Sequence, residues 1–412
     1  MSAAILSVGT ELTRGELINT NATWLSDQLT SIGCVIAEHS TVPDEVDAIR
    51  DAIRSVADRN AFVVCTGGLG PTTDDVTARA AAAALGVRLE RHAPSLEAIE
   101  RRYAAAGREM SPTNAKQADF PAGADVLPNP VGTAPGFAIT VGSCRCFFLP
   151  GVPHEMERLF SDRVLCIIAA VVERTTHQLR LRTFGLPESV VAEKLSGLEE
   201  AHPGLVLGYR ASFPEIEVKV CAAANGSASA EERVADISRL VRERLGDAVY
   251  GEGEDTYQGF VGRELRAHQL TLALAESCTG GMVASMITEV AGSSDYLLLD
   301  AVTYSNASKT KLLGVQGELL RAHGAVSAEC AAAMAEGARR LADSDLAVSV
   351  TGIAGPGGGS EAKPVGTVYL GLARRGGDTT TEHFLLSGER EQVRRRAAYL
   401  ALRMVARAAA ES

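Results

Sequence analysis

This sequence predicts a multidomain α/β protein, on three observations. Apolar strands alternate with amphipathic helices between residues 3 and 86, a β-α-β-β-α-β rhythm fills 177–251, and a second strand–helix alternation runs from 257 onward. A chain of 412 residues is also longer than one ordinary core organises, so length alone predicts two or three domains.

The first segment opens with AAILSVG (3–9), an unbroken apolar run of the kind a strand buried on both faces requires. NTNATWLSDQLTSIG (19–33) puts Trp24, Leu25 and Leu29 on one helical face. CVIAEHSTV (34–42) is strand-like, DEVDAIRDAIRSVADR (44–59) helical, AFVVCTG (61–67) a buried strand, and TARAAAAALG (77–86) a helix ending at a glycine. Such alternation implies a parallel sheet covered on both faces. A helix near 94–106, a hairpin over 136–151 and one long helix over 154–174 complete this segment.

The rhythm then changes. HQLRLRTFG (177–185) alternates as a half-exposed strand does, and PESVVAEKLSGLEEA (187–201) is a helix with Pro187 at its start. Strands LVLGYRA and EIEVKVCAA, a helix over 229–247 and the short strand AVYG give the split βαβ, ferredoxin-like order. No two glycines here stand three apart, so the G-x-x-G clamp of a KH-type RNA module is missing, and a structural linker domain is the expectation. Beyond the acidic joint GEGEDT (251–256) come helix 257–269, strand 271–275, a helix from Gly281 to Val290 and strand 297–304. A helix from about Ser308, helix 328–343, strands 346–352, 365–373 and 380–387, and a final helix from Glu389 follow.

A formal charge of −11 opposes nonspecific nucleic-acid binding, which depends on phosphate neutralisation by Lys and Arg. The eight cysteines are scattered and form no pair of C-x-x-C units, so buried thiols in a reducing compartment are expected rather than a zinc site. The N-terminus lacks a basic n-region, and no apolar run reaches the ~20 residues that span a bilayer. A cytoplasmic location without membrane contact is the expectation.

TGGLGPTTDD (66–75) joins a buried strand to a helix. Gly67, Gly68 and Gly70 let backbone N–H groups approach a phosphate or a pterin-like ring, and Asp74 and Asp75 suit a divalent cation bridging phosphates. Ordinary helix capping by Thr72, Thr73 or Asp74 is the competing account. GTELTRGELINTN (9–21) and TVPD (41–44) bring Glu11, Asn19, Asn21 and Asp44 to the same carboxyl edge of the sheet, where open α/β sheets bind ligands.

ALAESCTGGMVAS (273–285) offers Ser277, Cys278 and Thr279 at a strand-to-helix turn, which exposes a side chain and aims N–H groups at one spot. A hydroxyl nucleophile needs a base. His323 in HGAVS is isolated; Lys309 in TYSNASK is the alternative, a lysine able to serve as general base when desolvated, with Tyr304 to relay or hold it. A solvated first-turn lysine is the equally ordinary account. VTGIAGPGGGSEAKPVGT (350–367) adds a loop whose glycines can wrap a phosphate, with Lys363 adding charge; a plain surface loop is the alternative.

These stretches resemble a known family. GTELTRGELINTN, TVPD, TGGLGPTTDD, NPVGTAPGF and LPGVPHEM are similar to the molybdopterin-binding domain in the form found in the competence/damage-inducible CinA family, over residues 1 to about 170. AESCTGG, GSS, TYSNASK, HGAVS and GIAGPGGGSEAKPVGTV are similar to the CinA C-terminal domain, the nicotinamide-mononucleotide (NMN) amidohydrolase family, over about 258–408. Three domains are therefore expected: a molybdopterin-binding-like α/β domain (1–172), a small α+β ferredoxin-like or KH-type linker (175–252) and a C-terminal α/β CinA domain (256–412).

For the first domain the resemblance implies metal-dependent ADP-ribose pyrophosphatase activity, with Gly67, Gly68 and Gly70 on the ligand and Asp74, Asp75, Glu11 and Asp44 on the cation. Related molybdenum-insertion proteins carry Asp where this chain has Thr10, which argues against a true molybdopterin role. For the last domain it implies deamidation of NMN to nicotinate mononucleotide and ammonia, with no cofactor. Ser277 attacks, Lys309 takes the proton, Tyr304 assists, and N–H groups near Thr279–Gly281 stabilise the oxyanion. Substrate contacts are expected from Thr279, Gly280, Gly281, Asn306, Thr351, Gly352, Gly355 and Gly358. A homodimer is the family-level expectation. The non-enzymatic alternative is a pterin- or nucleotide-binding module acting as an interaction protein.

Overall fold

Two sheets with parallel centres and one small four-stranded sheet organise the chain. The computed structural model describes residues 1–172, 176–225 and 228–411. It divides into two compact units, Met1–Gln178 with Ala222–Val234 and Leu179–Cys221 with Ala235–Ser412.

The N-terminal elements are β1 (Ser2–Val8), α1 (Thr10–Thr13), α2 (Thr20–Ser31), β2 (Val35–Val42), α3 (Val46–Ala57), β3 (Phe62–Thr66), α4 (Thr77–Leu85), β4 (Leu89–Arg91) and α5 (Ala93–Ala105). They continue with β5 (Asp119–Pro121), β6 (Asp125–Leu127), β7 (Gly136–Val141), β8 (Cys144–Leu149), α6 (Pro153–Leu159) and α7 (Leu165–Ala169). The main sheet has the order β2-β1-β3-β8-β7-β6. β1, β2, β3 and β8 pair in parallel, while β7 runs antiparallel to both its neighbours. β1 and β3 are apolar on both faces because helices cover both: Ala4, Leu6 and Val63 pack toward α3 and α4, and Ala3, Ile5 and Val64 toward α2 and α6. The chain leaves β1 in opposite directions to reach β2 and β3, so a crevice opens at their carboxyl ends.

One long helix over 154–174 is not what forms. A π turn over Phe160–Val164 separates α6 from α7, which ends at Ala169; residues 173 and 174, and position 175 where the second domain was expected to begin, lie outside the described residues. The buried side chains Met156, Phe160, Val164 and Ile168 recur every fourth residue. That spacing overshoots the α-helical period of 3.6, and one widened turn returns all four to the core.

The small sheet comprises β9 (Thr176–Phe184), β10 (Leu205–Ser212), β11 (Glu215–Ala223) and β12 (Val249–Glu252), with helices α8 (Glu188–Leu195), α9 (Leu198–Ala201) and α10 (Ala230–Leu245). Its order, β10-β11-β9-β12, sets the first and third strands side by side, as a split βαβ does. The single helix expected over 187–201 is broken in two where Gly197 takes a φ of 79°, a conformation that side-chain-bearing residues avoid.

The last elements are α11 (Tyr257–Ala267), β13 (Leu272–Glu276), α12 (Met282–Thr288), β14 (Leu297–Val302), α13 (Asn306–Leu313), α14 (Gly317–His323) and α15 (Ala328–Ala342), followed by β15 (Leu346–Gly352), β16 (Thr367–Arg374), β17 (Thr380–Leu385) and α16 (Arg390–Ala410). The sheet order is β14-β13-β15-β16-β17. β13 pairs in parallel with β14 and β15, while β15–β16 and β16–β17 are antiparallel. One face is covered by α11, α12 and α16 and the other by α13, α14 and α15. The switch point lies at the carboxyl end of β13, the position of Ser277.

Candidate functional site

In the N-terminal unit the carboxyl ends of β1 and β3 open into a cavity of about 620 Å³. Glu11, Asp44, Gly67, Gly68, Gly70, Asp74 and Asp75 all line it. Gly67 and Gly68 have φ of 105° and 66°, and a Cβ on Gly67 would lie 2.1 Å from the Val8 carbonyl oxygen. The cradle therefore requires glycine there on grounds of both conformation and space.

The four carboxylates are not equally free. Asp44 Oδ2 accepts from Thr10 N (2.7 Å) and Thr10 Oγ1 (2.9 Å), so the threonine of GTEL secures an acid from the next strand end. Asp75 Oδ2 accepts from Thr72 N (2.8 Å) and Thr72 Oγ1 (2.5 Å). Among the described residues no three Asp, Glu, His or Cys side chains come together as a metal-binding group. The expected set of Asp74, Asp75, Glu11 and Asp44 is thus no preformed cage, because threonine donors already occupy two of its members. It fits a cation that takes one or two carboxylates and completes its shell with ligand phosphates and water.

Two lining residues stand out that sequence reasoning did not single out. Glu155 accepts from Asn129 Nδ2 at 2.7 Å. Gln117 is 6% exposed, and its Oε1, like Asn21 Oδ1, has no hydrogen-bond partner among the described residues. Both residues line the cavity, so two unpaired polar groups lie buried in its wall. Gln117 lies in a polar stretch with no motif around it, so no sequence signal marked it.

In the second unit, Ser277 follows β13 and donates its backbone N–H to the Val350 carbonyl of β15 (2.9 Å). Lys309 enters from the first turn of α13, whose start is fixed by a reciprocal capping box between Ser305 and Ser308. Its side chain points inward and is 1% exposed. Lys309 Nζ lies 3.0 Å from Ser277 Oγ and donates to the Thr303 carbonyl at 2.6 Å. Among the described residues no carboxylate bonds it, and burial holds its ammonium below the ordinary lysine value. The solvated alternative for Lys309 is therefore set aside.

Cys278 is 7% exposed, and burial pushes its thiol up to about 11, which leaves little thiolate for attack. His323 sits at the surface, 3.2 Å from Glu329.

The turn after Ser277 is held from two sides. Glu276, 1% exposed, accepts from Gly281 N (2.8 Å) and Ala284 N (2.9 Å) at the start of α12. Gly280 N donates to the Ser277 carbonyl at 3.2 Å. The N–H groups of Gly280 and Gly281 are thus spent inside the turn and do not serve as oxyanion donors. That of Thr279 meets no backbone acceptor among the described residues, and that of Cys278 bonds to no other residue's backbone but lies against its own thiol. Arg394 supplies the other side, donating through Nε to the Cys278 carbonyl (3.2 Å) and through Nη2 to the Thr279 carbonyl (2.7 Å).

The remaining expected residues divide. Thr351, 1% exposed, donates to the Ala325 carbonyl at 2.7 Å and follows Val350, whose carbonyl accepts from Ser277 N. Gly355 and Tyr304 are joined by Arg390, which donates to the Gly355 carbonyl (2.6 Å) and to the Tyr304 hydroxyl (3.2 Å). Tyr304 is 65% exposed, so its hydroxyl engages Arg390 at the rim and neither Ser277 nor Lys309. Asn306 and Gly358 are exposed and meet neither member of the pair, whereas Gly352 closes the end of β15 against β16. Lys363 bonds the carbonyls of His323 (2.8 Å) and Val326 (2.7 Å), which anchors the glycine-rich loop rather than presenting free charge. Arg390 and Arg394 went unnoticed in the sequence, yet a signal existed: cations in the first turns of a helix oppose its dipole and need another reason to be there.

Comparison with known proteins gives matches along the whole chain. Residues 4–170 match the family model described as the probable molybdopterin binding domain, 178–251 the damage-inducible protein CinA KH domain, and 254–409 the CinA C-terminal domain. A CinA-like protein of Geobacter sulfurreducens is 46% identical over 407 residues, 98% of each chain. A CinA-like protein of Citrifermentans bemidjiense is 44% identical over 402 residues, 98% of this chain and 96% of the other. The crystal structure of the protein CinA, titled as of unknown function, from Thermoplasma acidophilum is 36% identical, with a TM-score of 0.38, over 40% of this chain and 97% of that one.

Proposed function

The chain belongs to the CinA family, and on that premise we propose that the site at Ser277 hydrolyses the carboxamide of NMN to nicotinate mononucleotide and ammonia. The observation that carries the reading is the desolvated Lys309 amine 3.0 Å from Ser277 Oγ, with no carboxylate partner among the described residues. Ser277 Oγ bonds to the carboxamide carbon while its proton passes to Lys309 Nζ. The C–N bond then breaks, the nitrogen takes that proton, and ammonia leaves. Water attacks the acyl ester, giving one proton through Lys309 back to Ser277 Oγ and releasing the acid. The N–H groups of Cys278 and Thr279 are the donors available to the developing oxyanion. Arg390, between Tyr304 and Gly355, brings fixed positive charge to the rim, where a nucleotide phosphate is accommodated.

The same proposal assigns the N-terminal cavity to metal-dependent cleavage of ADP-ribose. The glycine turn and the four carboxylates that share the cavity support it. One or two of Glu11, Asp44, Asp74 and Asp75 would hold the cation, which when bound neutralises phosphate charge. The middle segment is assigned a structural role, because it lacks a G-x-x-G clamp.

The competing reading is a nucleotide- or pterin-binding interaction module. Such a module gains nothing from a lysine desolvated against a serine. Ammonia release from NMN separates the two: wild type releases it, and Ser277→Ala loses about 10³-fold or more. Equal rates in both proteins would remove the nucleophile, and no release from wild type would favour the module.

A further inference from the structure

Among the described residues Arg394 makes no ion pair. It spends Nε and Nη2 on two consecutive main-chain carbonyls, those of Cys278 and Thr279. It rises from the second turn of α16, a 21-residue helix capped at its start by a reciprocal Glu389–Gln392 box. The carbonyl of Cys278 belongs to the same peptide group as the N–H of Thr279. In a trans peptide the two point in opposite directions, so a guanidinium on the oxygen fixes the plane and sends that N–H away from Arg394. The preceding peptide is pinned likewise, because the Ser277 carbonyl accepts from Gly280 N at 3.2 Å, while Cys278 N donates to no other backbone group among the described residues and has only its own thiol beside it. A cation on a peptide oxygen also draws charge from the amide and strengthens its N–H as a donor.

We propose that Arg394 is a positioning residue. It holds and polarises the Cys278–Thr279 peptide, so that Thr279 N–H, together with Cys278 N–H, forms the oxyanion hole for attack by Ser277. This rests on the reading of Ser277 as an acyl-accepting nucleophile. Arg394 itself touches no reacting atom and acts in the step where charge develops on the carbonyl oxygen. Its loss therefore appears in kcat rather than KM.

The test uses the full chain with two substrates, NMN and p-nitrophenyl acetate, whose ester carbonyl needs the same hole but carries no nucleotide. Arg394→Met is expected to lower kcat on NMN by about 10- to 100-fold, below the cost of deleting a direct donor, with KM within about threefold. Ester hydrolysis should fall by the same factor. Arg394→Lys, which keeps one cationic donor, is expected to recover part of the loss. The alkaline rise of the pH–rate profile should stay in place, because Arg394 does not bond Lys309. Arg395→Met, on the exposed side of the same helix turn, is the control. If Arg394→Met does not fold, Arg394→Gln and Arg394→Lys carry the comparison.

Unchanged kcat, or a loss confined to KM for NMN with ester hydrolysis intact, would overturn the proposal and make Arg394 a substrate contact. The two readings fail separately. A wild type inactive on NMN but acylated at Ser277 by the ester, more slowly in Arg394→Met, refutes the substrate and upholds Arg394. A wild type inactive on both removes the nucleophile and the proposal with it.

Discussion

Lys309 carries an amine into a place where its charge is poorly solvated, and the consequence is a defined pH behaviour. Burial lowers its folded-state value beneath the ordinary 10.5, so the unfolded chain binds more protons between the two values. Stability consequently rises with pH through that window, and below the folded value the full cost of burying an ammonium is present. Catalysis needs the free amine, so kcat/KM is expected to climb with pH along a single limb whose midpoint lies below 10.5. Lys309→Arg, permanently charged, and Lys309→Met should both lose turnover, and Lys309→Met should also lose the alkaline gain in thermal stability. A limb at the ordinary lysine value, or an active Lys309→Arg, would contradict the assignment. At this scale the sequence narrowed the nucleophile to Ser277, Cys278 or Thr279 in one strand-to-helix turn, and only the Lys309 and Tyr304 motif with the family resemblance pointed to Ser277. Lys309 could not be separated from a solvated lysine without its exposure, and the donors of the turn could not be sorted without knowing that Gly280 and Gly281 had spent theirs.

The helix that delivers Lys309 is set by its neighbour. A Cβ on Gly337 of α15 would lie 2.1 Å from the Leu313 carbonyl oxygen at the end of α13, so the two helices meet at a glycine. Replacing a mid-helix glycine by alanine ordinarily gains about 0.5–1 kcal/mol through propensity. Overpacking a fixed contact costs about 1–3 kcal/mol, and because the obstructing atom is backbone, the clash wins. Gly337→Ala should therefore lower Tm where propensity predicts a rise, and lower ammonia release as α13 shifts Lys309 away from Ser277; a higher Tm with full activity would show that α13 adjusts freely. Apolar periodicity made most elements legible, including β15, which forms over the predicted 346–352. It failed where geometry departs from the regular period: the π turn after Leu159, the break at Gly197, and α14, a short helix over Gly317–His323 that shows no marked amphipathic repeat.

Across the whole molecule the two candidate sites rest on different chemistry, and that difference is itself testable. The Ser277 site needs a neutral amine and backbone donors, all supplied by the chain. The N-terminal cavity presents Glu11, Asp44, Asp74 and Asp75 to a ligand proposed to carry two phosphates, within a protein of net charge −11. Glycine N–H groups offset only part of that repulsion, and Lys116, which reaches the loop by bonding the Thr72 carbonyl, is a single cation. Anion binding there calls for a divalent ion. Chelation with EDTA is therefore expected to abolish AMP formation from ADP-ribose while leaving ammonia release from NMN within about twofold, and added divalent ion should restore the first. Asp74→Ala/Asp75→Ala should mimic chelation, and Ser277→Ala should give the reverse pattern, with AMP formed and no ammonia. AMP formation that survives both EDTA and the double substitution would show that the cavity works without the cation and that these carboxylates serve as helix caps. Ammonia release lost on chelation would show that the serine site is not self-sufficient.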